Sequence, residues 1–500
     1  VALLLTLFLL GGLSTSFAAT KTFTAGSNFL YENPNNWSLV GAPGSGDDVI
    51  IDNTSAAADL RFGGGSDELN EVKSLSFSYT TNSLFKLENG QGVRRTLSIL
   101  EDFSTTALAS DLLFRNESSG TASYKDLSVT VGGDFTLNSA LFLGDDTELS
   151  GSQSSAIQNF SVGGTTNLNS GGSITLSRVD GKPVIDGGSG PGVIDLGSLE
   201  MDGGTLNMTS GAADNLGTTS GTTNTINVSL LSGTVGSTIT GNKTASTGPT
   251  NTVTGHLMVG ASDPGTYGGT ITDGLTNNVI RLTKQGSGVL TLTNAGNTYT
   301  GETIISAGTI LLSGGGTVGE GDIALSGGTL DISSLTAASY TMGVGRTLSG
   351  DGGNIVATGK TFTLEGALSP GDSPGTLTVE GGTLDISNAE DLVFELGTVS
   401  DSVVLDGAVL DIGTLDFSDF SFVQDTGFGA GTYTLFSGWD SLSGSLGTTT
   451  GQIGAFDGTL EIQSTNLVLE VIPEPGTAAF LLFSLLGFGL SGQLSRKRRS

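Results

Sequence analysis

A pair of glycines followed by residues that alternate between apolar and polar recurs through the middle of this chain. "VGGDFTLNS" (Val131 to Ser139) is matched by "VGGTTNLNS" (Val162 to Ser170). "SGGTLDIS" (Ser326 to Ser333) is matched by "EGGTLDIS" (Glu380 to Ser387). "DGGTLNM" at Asp202 and "DGTLEI" at Asp457 follow the same grammar. Alternation of period two describes a half-buried strand, with one side toward a core and the other toward water. Glycine supplies the positive φ that tight turns need.

Strands repeated in this way, without helical patterns between them or regular two-residue hairpin loops, predict stacked coils rather than one closed sheet. The expected fold is all-β: a Gly-rich parallel β-helix of ~20 residues per coil with a C-terminal β cap. A set of β-sandwiches is the alternative that the same alternation permits. The repeat region is expected over residues 20–388 and a C-terminal β region over 389–471. There "DLVFELG" and "GTYTLFSG" read as longer strands of an antiparallel cap. Such a cap would protect the open end of a solenoid from pairing with other chains.

Composition narrows the partners. Lys+Arg 19 against Asp+Glu 49 leaves a net charge of -30, which argues against nucleic acid, because phosphates attract Lys and Arg. Cys is 0, so disulfides, thiolate nucleophiles and Cys-based zinc sites are excluded.

The two ends read as addresses. "VALLLTLFLLGGLSTSFAAT" has the apolar core and small-residue cleavage site of a secretory signal over residues 1–19, without its charged start or initiating Met. The signal is therefore expected to be clipped at its N-terminus. Cleavage after Ala18 places Ser16 two positions before the cut; cleavage after Ala19 places Phe17 there, which fits less well. A buried strand or an uncleaved anchor is the alternative. At the other end, residues 477–494 carry no charge and are followed by Arg496, Lys497, Arg498 and Arg499. That run predicts a short transmembrane helix with its cations on the cytoplasmic side, so that the acidic body lies outside. A soluble amphipathic helix is disfavoured, because the run is apolar all round.

Pro473-Glu474-Pro475 stands immediately before that apolar run. The triplet, the span and the basic tail, in that order over residues 472–500, resemble the PEP-CTERM sorting signal. The resemblance implies an exosortase-like membrane protease as a partner and an inner-membrane anchor before processing. It also implies a final place at the cell surface or outside the cell. Such tails are associated with producers of extracellular polysaccharide, which makes a glycan-rich matrix the implied partner.

"GSGVLTLTNAGNTYTGETIISAGTILLSGGG" (Gly286 to Gly316) resembles the autotransporter-associated β-strand repeat, a unit of parallel β-helix stalks on bacterial surfaces. The matching positions are Gly286, Leu290, Leu292, Asn297, Tyr299, Gly301, Thr303, Ile305 and Gly308. Alternation places Tyr299, Gly301, Thr303 and Ile305 on one face and Asn297 in a turn. "NPNNWSLVGAPGSGDDVIID" (Asn33 to Asp52) resembles the opening coil of such exported proteins, with Trp37 covering the end of the core. "GALSPGDSPGTLTVEGGTLDIS" (Gly366 to Ser387) resembles the stretch before their C-terminal section.

β-Helices also carry polysaccharide lyases and hydrolases. The one histidine, His256, sits in a Thr/Gly-rich strand and reads as a surface residue. Asp47, Asp48 and Asp52 form a cluster from which a carboxylate pair for glycoside chemistry could be drawn, but aspartate beside glycine is ordinary turn chemistry. Gly63 to Glu71 and the run from Asp186 offer oxygen ligands, yet neither fits the nonapeptide calcium pattern, and no metal ligand or cofactor is assigned. No catalytic residue is assigned either. The expected role is a non-enzymatic, structural or adhesive exported protein; the alternative is a carbohydrate-active β-helix enzyme.

Overall fold

The computed structural model describes residues 19–24, 31–39, 41–52, 59–62, 68–78, 84–89, 95–106, 111–116, 127–143, 159–176, 193–211, 222–243, 252–260, 262–371 and 374–473. The chain divides into two compact units, residues 1–256 with 273–279, and residues 257–272 with 280–500. The described residues are nearly all strand or turn, with two short 3-10 helices at Pro34–Asn36 and Phe417–Asp419. None of their helices is long and apolar enough to cross a membrane. The expected signal over 1–19 falls, apart from Ala19, outside the described residues, as does the whole of the expected helix over 477–494.

In the first unit the chain visits three parallel ladders in turn. One contains Phe103–Thr105, Phe135–Leu137, Thr165–Asn169 and Ser198–Asp202. The second contains Arg95–Ile99, Leu127–Val131 and Asn159–Val162, and the third Asp111–Asn116, Ala140–Leu143 and Ser173–Leu176. This is the coil of a parallel β-helix, in which every backbone group of a strand pairs with the coil before and after. The two "VGG" copies stack directly, Val131 opposite Val162.

Register is fixed by what points inward. Phe103 and Phe135 stack at 4.7 Å between ring centroids, and Phe160 meets Phe135 edge-on at 5.2 Å. Leu97, Val129 and Leu141 are buried beside them. A one-residue slip would turn all of these to water, at ~1.5–3 kcal/mol per large side chain. Polar groups set register on the outside. Asp134 N–H donates to Asp102 Oδ1, 32 residues earlier, and Thr165 N–H to Asp134 Oδ1, 31 residues earlier. Asn169 Nδ2 donates to Asn138 Oδ1.

The glycines of the two "VGG" copies serve a purpose other than the expected positive φ. Gly132 and Gly164 lie outside the left-handed region, but a Cβ on Gly132 would sit 2.3 Å from the Leu100 carbonyl oxygen, and one on Gly164 2.6 Å from that of Gly133. Successive coils approach too closely there for any side chain. Positive φ applies in the "TLDIS" copies, where Gly327 has φ +96.

In the second unit one ladder runs through Val289–Leu292, Thr309–Gly314, Thr329–Leu335, Asn354–Val356, Thr376–Glu380 and Ser402–Asp406. Another starts from residues 282–284 and runs through Thr303–Ile305, Ile323–Leu325, Thr347–Gly350 and Ala367–Ser369. A third begins only at Ser339–Met342 and continues through Thr361–Leu364, Thr383–Asp385 and Val409–Leu415 to Ser441–Leu446.

Two expectations are corrected. The ~20-residue coil holds at the repeat, where Asn297 reaches Thr317, 20 residues on. Coils of the first unit are longer, with Asn207 bonded to Thr175, 32 residues back, because each carries a third strand. The antiparallel cap is also shorter than expected. Asp391–Leu396, in "DLVFELG", pairs in parallel with Phe420–Gln424, since its inward Leu392, Phe394 and Leu396 continue the ladder. Antiparallel pairing begins at Gly431–Ser437, which takes Asn466–Pro473 as partner, and the hairpins among Thr450–Ile453, Phe456–Gln463 and Asn466–Pro473 complete the cap.

Candidate functional site

The repeat coil shows why its residue types are needed. Leu290, Leu292, Thr303 and Ile305 point inward and are buried, as are Asn297, Tyr299 and Gly301. Asn297 is a corner post. Its Oδ1 accepts from Ile271 N–H at 2.9 Å, and its Nδ2 donates to the Thr317 carbonyl at 2.7 Å, so one amide ties the coil before to the coil after. Tyr299 is fully buried, and its hydroxyl bonds the Thr303 hydroxyl at 2.7 Å. Burial pushes the Tyr299 phenol up to about 12. The next coil passes directly over this ring; a Cβ on Gly319 would lie 2.5 Å from it.

Two cations of this acidic chain bind turn carbonyls. Lys284 is buried, and its Nζ donates to the carbonyls of Gln285 (2.9 Å) and Gly286 (2.7 Å). Burial holds its ammonium below the usual lysine range. Gly308, at φ +66, closes over it; a Cβ there would meet the Gly286 and Gly288 carbonyls at 2.4 Å. Arg346 binds the carbonyls of Gly321 (2.8 Å) and Gly319 (3.0 Å) in the same manner.

Trp37, expected to cover the end of the core, is 5% exposed. Its ring packs on Phe23 (5.1 Å) and Tyr31 (5.5 Å), and its indole N–H donates to the Tyr31 carbonyl at 2.8 Å. The neighbouring acids are structural. Asp47 pairs with Lys21 at 3.1 Å and accepts from Gly44 N–H. Asp48 accepts from the Ser74 hydroxyl (2.7 Å) and Lys73 (3.2 Å). The Ser74 bond, then Lys73, hold its carboxyl below the usual range against the opposing effect of desolvation. Asp47 and Asp48 are thus spent on separate partners. His256 lies half-buried on the strand Val253–Val259, at an outward position of its alternation.

Of the sorting residues, Pro473 is described: it ends the strand Asn466–Pro473 opposite Phe456 and is exposed. Glu474, Pro475, Arg496, Lys497, Arg498 and Arg499 lie outside the described residues, as do Ser16 and Ala18. Ala19 is described, and its carbonyl accepts from Asp48 N–H at 2.9 Å. The two stretches considered for calcium, Gly63 to Glu71 and the run from Asp186, fall largely outside. Among the described residues no three His, Asp or Glu converge as a metal cluster.

One concave feature lies on residues that no sequence motif marks. On the outward side of the ladder that holds Thr303–Ile305, a groove of about 320 Å³ opens. Its floor is Ile304, Ala324 and Ser349, register partners on successive strands. Glu302, Asp351 and Gly371 also line it. Glu302 is paired with Arg281 at 3.3 Å. The Gly371 side is fixed from below by Asp401, a fully buried carboxylate that accepts from Gly375 N–H and Glu395 N–H, each at 2.8 Å. A Cβ on Gly371 would collide with Asp401 Oδ1, 2.1 Å away. No motif signals this groove, because its residues are gathered from four successive coils.

Residues 282–312 match the passenger-associated transport repeat, PATR, which covers the coil built by Lys284, Asn297, Tyr299 and Gly308. The chain is also 29% identical over 278 residues to the adhesin BmaC autotransporter of Brucella suis biovar 1 (strain 1330). That similarity covers 47% of this chain and 8% of the adhesin. The chain thus spans less than a tenth of the length of that adhesin.

Proposed function

We propose that this protein is an exported, non-enzymatic surface component whose stacked coils perform a structural or adhesive role in an extracellular matrix. The observation that carries the reading is the PATR-matching coil, set in register among parallel coils. Similarity to an autotransporter adhesin supports it. Outward strand positions are occupied largely by Thr, Ser, Asn and Asp, for example Thr361, Thr363, Thr383 and Asp385. Repeated weak polar contacts along such a surface gain strength through multivalency. Deleting the chain from its host should lower attachment to a polysaccharide-coated surface; unchanged attachment counts against the role.

The route outward is part of the proposal. A signal ending near Ala18 or Ala19 directs export. The helix of about residues 477–494 holds the chain in the inner membrane, with Arg496 to Arg499 inside. An exosortase-like protease then acts at Pro473-Glu474-Pro475. The order of triplet, apolar span and basic tail supports this. Replacing Pro473, Glu474 and Pro475 with Ala should leave an unprocessed form in the membrane fraction; unchanged mass and location would contradict it.

A carbohydrate-active enzyme is the second reading, and one observation favours it: Glu302 and Asp351 line the same groove. Release of new reducing ends from a neutral polysaccharide by the purified protein would displace the non-enzymatic reading.

A further inference from the structure

We infer that the groove above Ile304, Ala324 and Ser349 binds one strand of a neutral, hydroxyl-rich polysaccharide lengthwise across the coils, an assignment that rests on the adhesive reading. The argument starts from direction. Ile304 faces Ala324, and Ala324 faces Ser349, on adjacent parallel strands. Ser369, half-buried on the next strand, continues this column, whereas Thr283 on the strand before it is buried. The floor therefore repeats at the ~4.8 Å spacing of neighbouring strands. An extended hexose chain advances by a similar length per sugar, so successive rings can meet successive coils.

Chemistry selects the ligand class. A sugar ring offers an apolar C–H face and a rim of hydroxyls. Ile304 and Ala324 give a small apolar floor for the first, and the Ser326 and Ser349 hydroxyls can both donate and accept to the second. Glu302 and Asp351 are carboxylates, strong acceptors for paired hydroxyls. The same two charges, in a chain of net charge -30, repel a polyuronate or a sulfated glycan. Arg281, the cation bonded to Glu302, is already paired. The groove volume, about 320 Å³, lies at the lower end of the ~300–1,000 Å³ of small-molecule sites, which suits a few sugars of a longer chain. Asp401 braces the far wall: its carboxylate lies against Gly371 and accepts from Gly375 N–H and Glu395 N–H.

The test uses the full chain in native gels containing hydroxyethylcellulose, a galactomannan or alginate. Retardation by at least one of the two neutral polymers, and none by alginate, is expected. Ala324→Trp fills the floor from an outward position and should weaken retardation at least tenfold. Thr363→Trp, outward on the third ladder of the same unit, should leave it unchanged. Ser349→Arg gives an independent blockade if melting shows Ala324→Trp to be misfolded. No retardation by either neutral polymer, retardation by alginate alone, or full retardation in both groove variants would overturn the inference. Host attachment keeps the two levels separate. Loss of attachment on deletion without gel retardation sinks the groove and leaves the adhesive role. Retardation without any loss of attachment does the opposite.

Discussion

The coils of residues 102–207 and the repeat coil of residues 282–312 solve one problem with different amounts of chain. In the first, contacts between neighbouring coils span 31 to 33 residues, as from Asp134 to Thr165 and from Thr105 to Asn138. At the repeat, Asn297 reaches Thr317 after 20. The long coil carries three strands and stacks phenylalanines inside; the short one carries two and replaces the third with a corner of Asn294, Asn297 and Tyr299. Both keep neighbouring strands parallel and in register. The contrast teaches that inward side chains and inter-coil polar bonds set register, whereas the length of chain between strands is free to vary. Loop-closure entropy agrees, since doubling a flexible connection costs only about 0.6 kcal/mol.

The largest effect should come from the interior of the long coils. Phe135→Ala removes the ring between Phe103 and Phe160 and should cost about 3–5 kcal/mol, measured by denaturant unfolding. A loss under 1 kcal/mol would mean that the phenylalanine stack does not hold these coils.

The short coil should fail at its corner instead. Asn297→Ala leaves Ile271 N–H and the Thr317 carbonyl without their partner, and each buried orphan costs about 1–3 kcal/mol. Asn138→Ala, at the more open ladder of the long coils, should cost about 1 kcal/mol. Equal losses would erase the proposed difference.

Alkaline pH separates the regions next. The folded Tyr299 phenol, at about 12, stands above the ordinary value of 10.0. Between those values the unfolded chain releases a proton that the folded chain keeps. Stability from this group is therefore complete below pH 10 and falls as pH rises toward 12, by roughly 3 kcal/mol. Tyr267 and Tyr31 are also pushed up, by burial first. Tyr299→Phe should flatten part of the alkaline decline in chemical melts; an unchanged slope would place the titration elsewhere.

The smallest effect should be a six-residue Gly/Ser insertion between Leu143 and Asn159, costing under about 1 kcal/mol. The same insertion between Gly296 and Asn297 should cost several times more, because it parts Asn297 from the Asn294 contacts that shape the corner. A reversal of that order would contradict free connection length.

Particular residues show how far the sequence could be read. The Val131 and Val162 copies stack on each other, so their separation already stated the local coil length. The "GGTLDIS" copies mislead: Thr329–Leu335 and Thr383–Asp385 belong to different ladders of one unit, and the "DGTLEI" of Asp457 lies in an antiparallel hairpin. Period-two alternation specifies a strand and its inner face, but it does not say which side of the coil that strand occupies. Asn297, Tyr299 and Gly308 were legible because close packing demands their chemistry within one short stretch. The groove was not, since Ile304, Ala324 and Ser349 are ordinary outward residues until stacking brings them together.

Register itself is open to direct measurement. The chain has no cysteine, so paired cysteines can be introduced without background. Thr136→Cys with Asn167→Cys, and Thr291→Cys with Leu311→Cys, place thiols on register partners of the long and short coils. Both pairs should cross-link on oxidation, while Thr291→Cys with Asp322→Cys should not. Cross-linking of position 291 to 322 in preference to 311 would show a single long period throughout and would contradict the account.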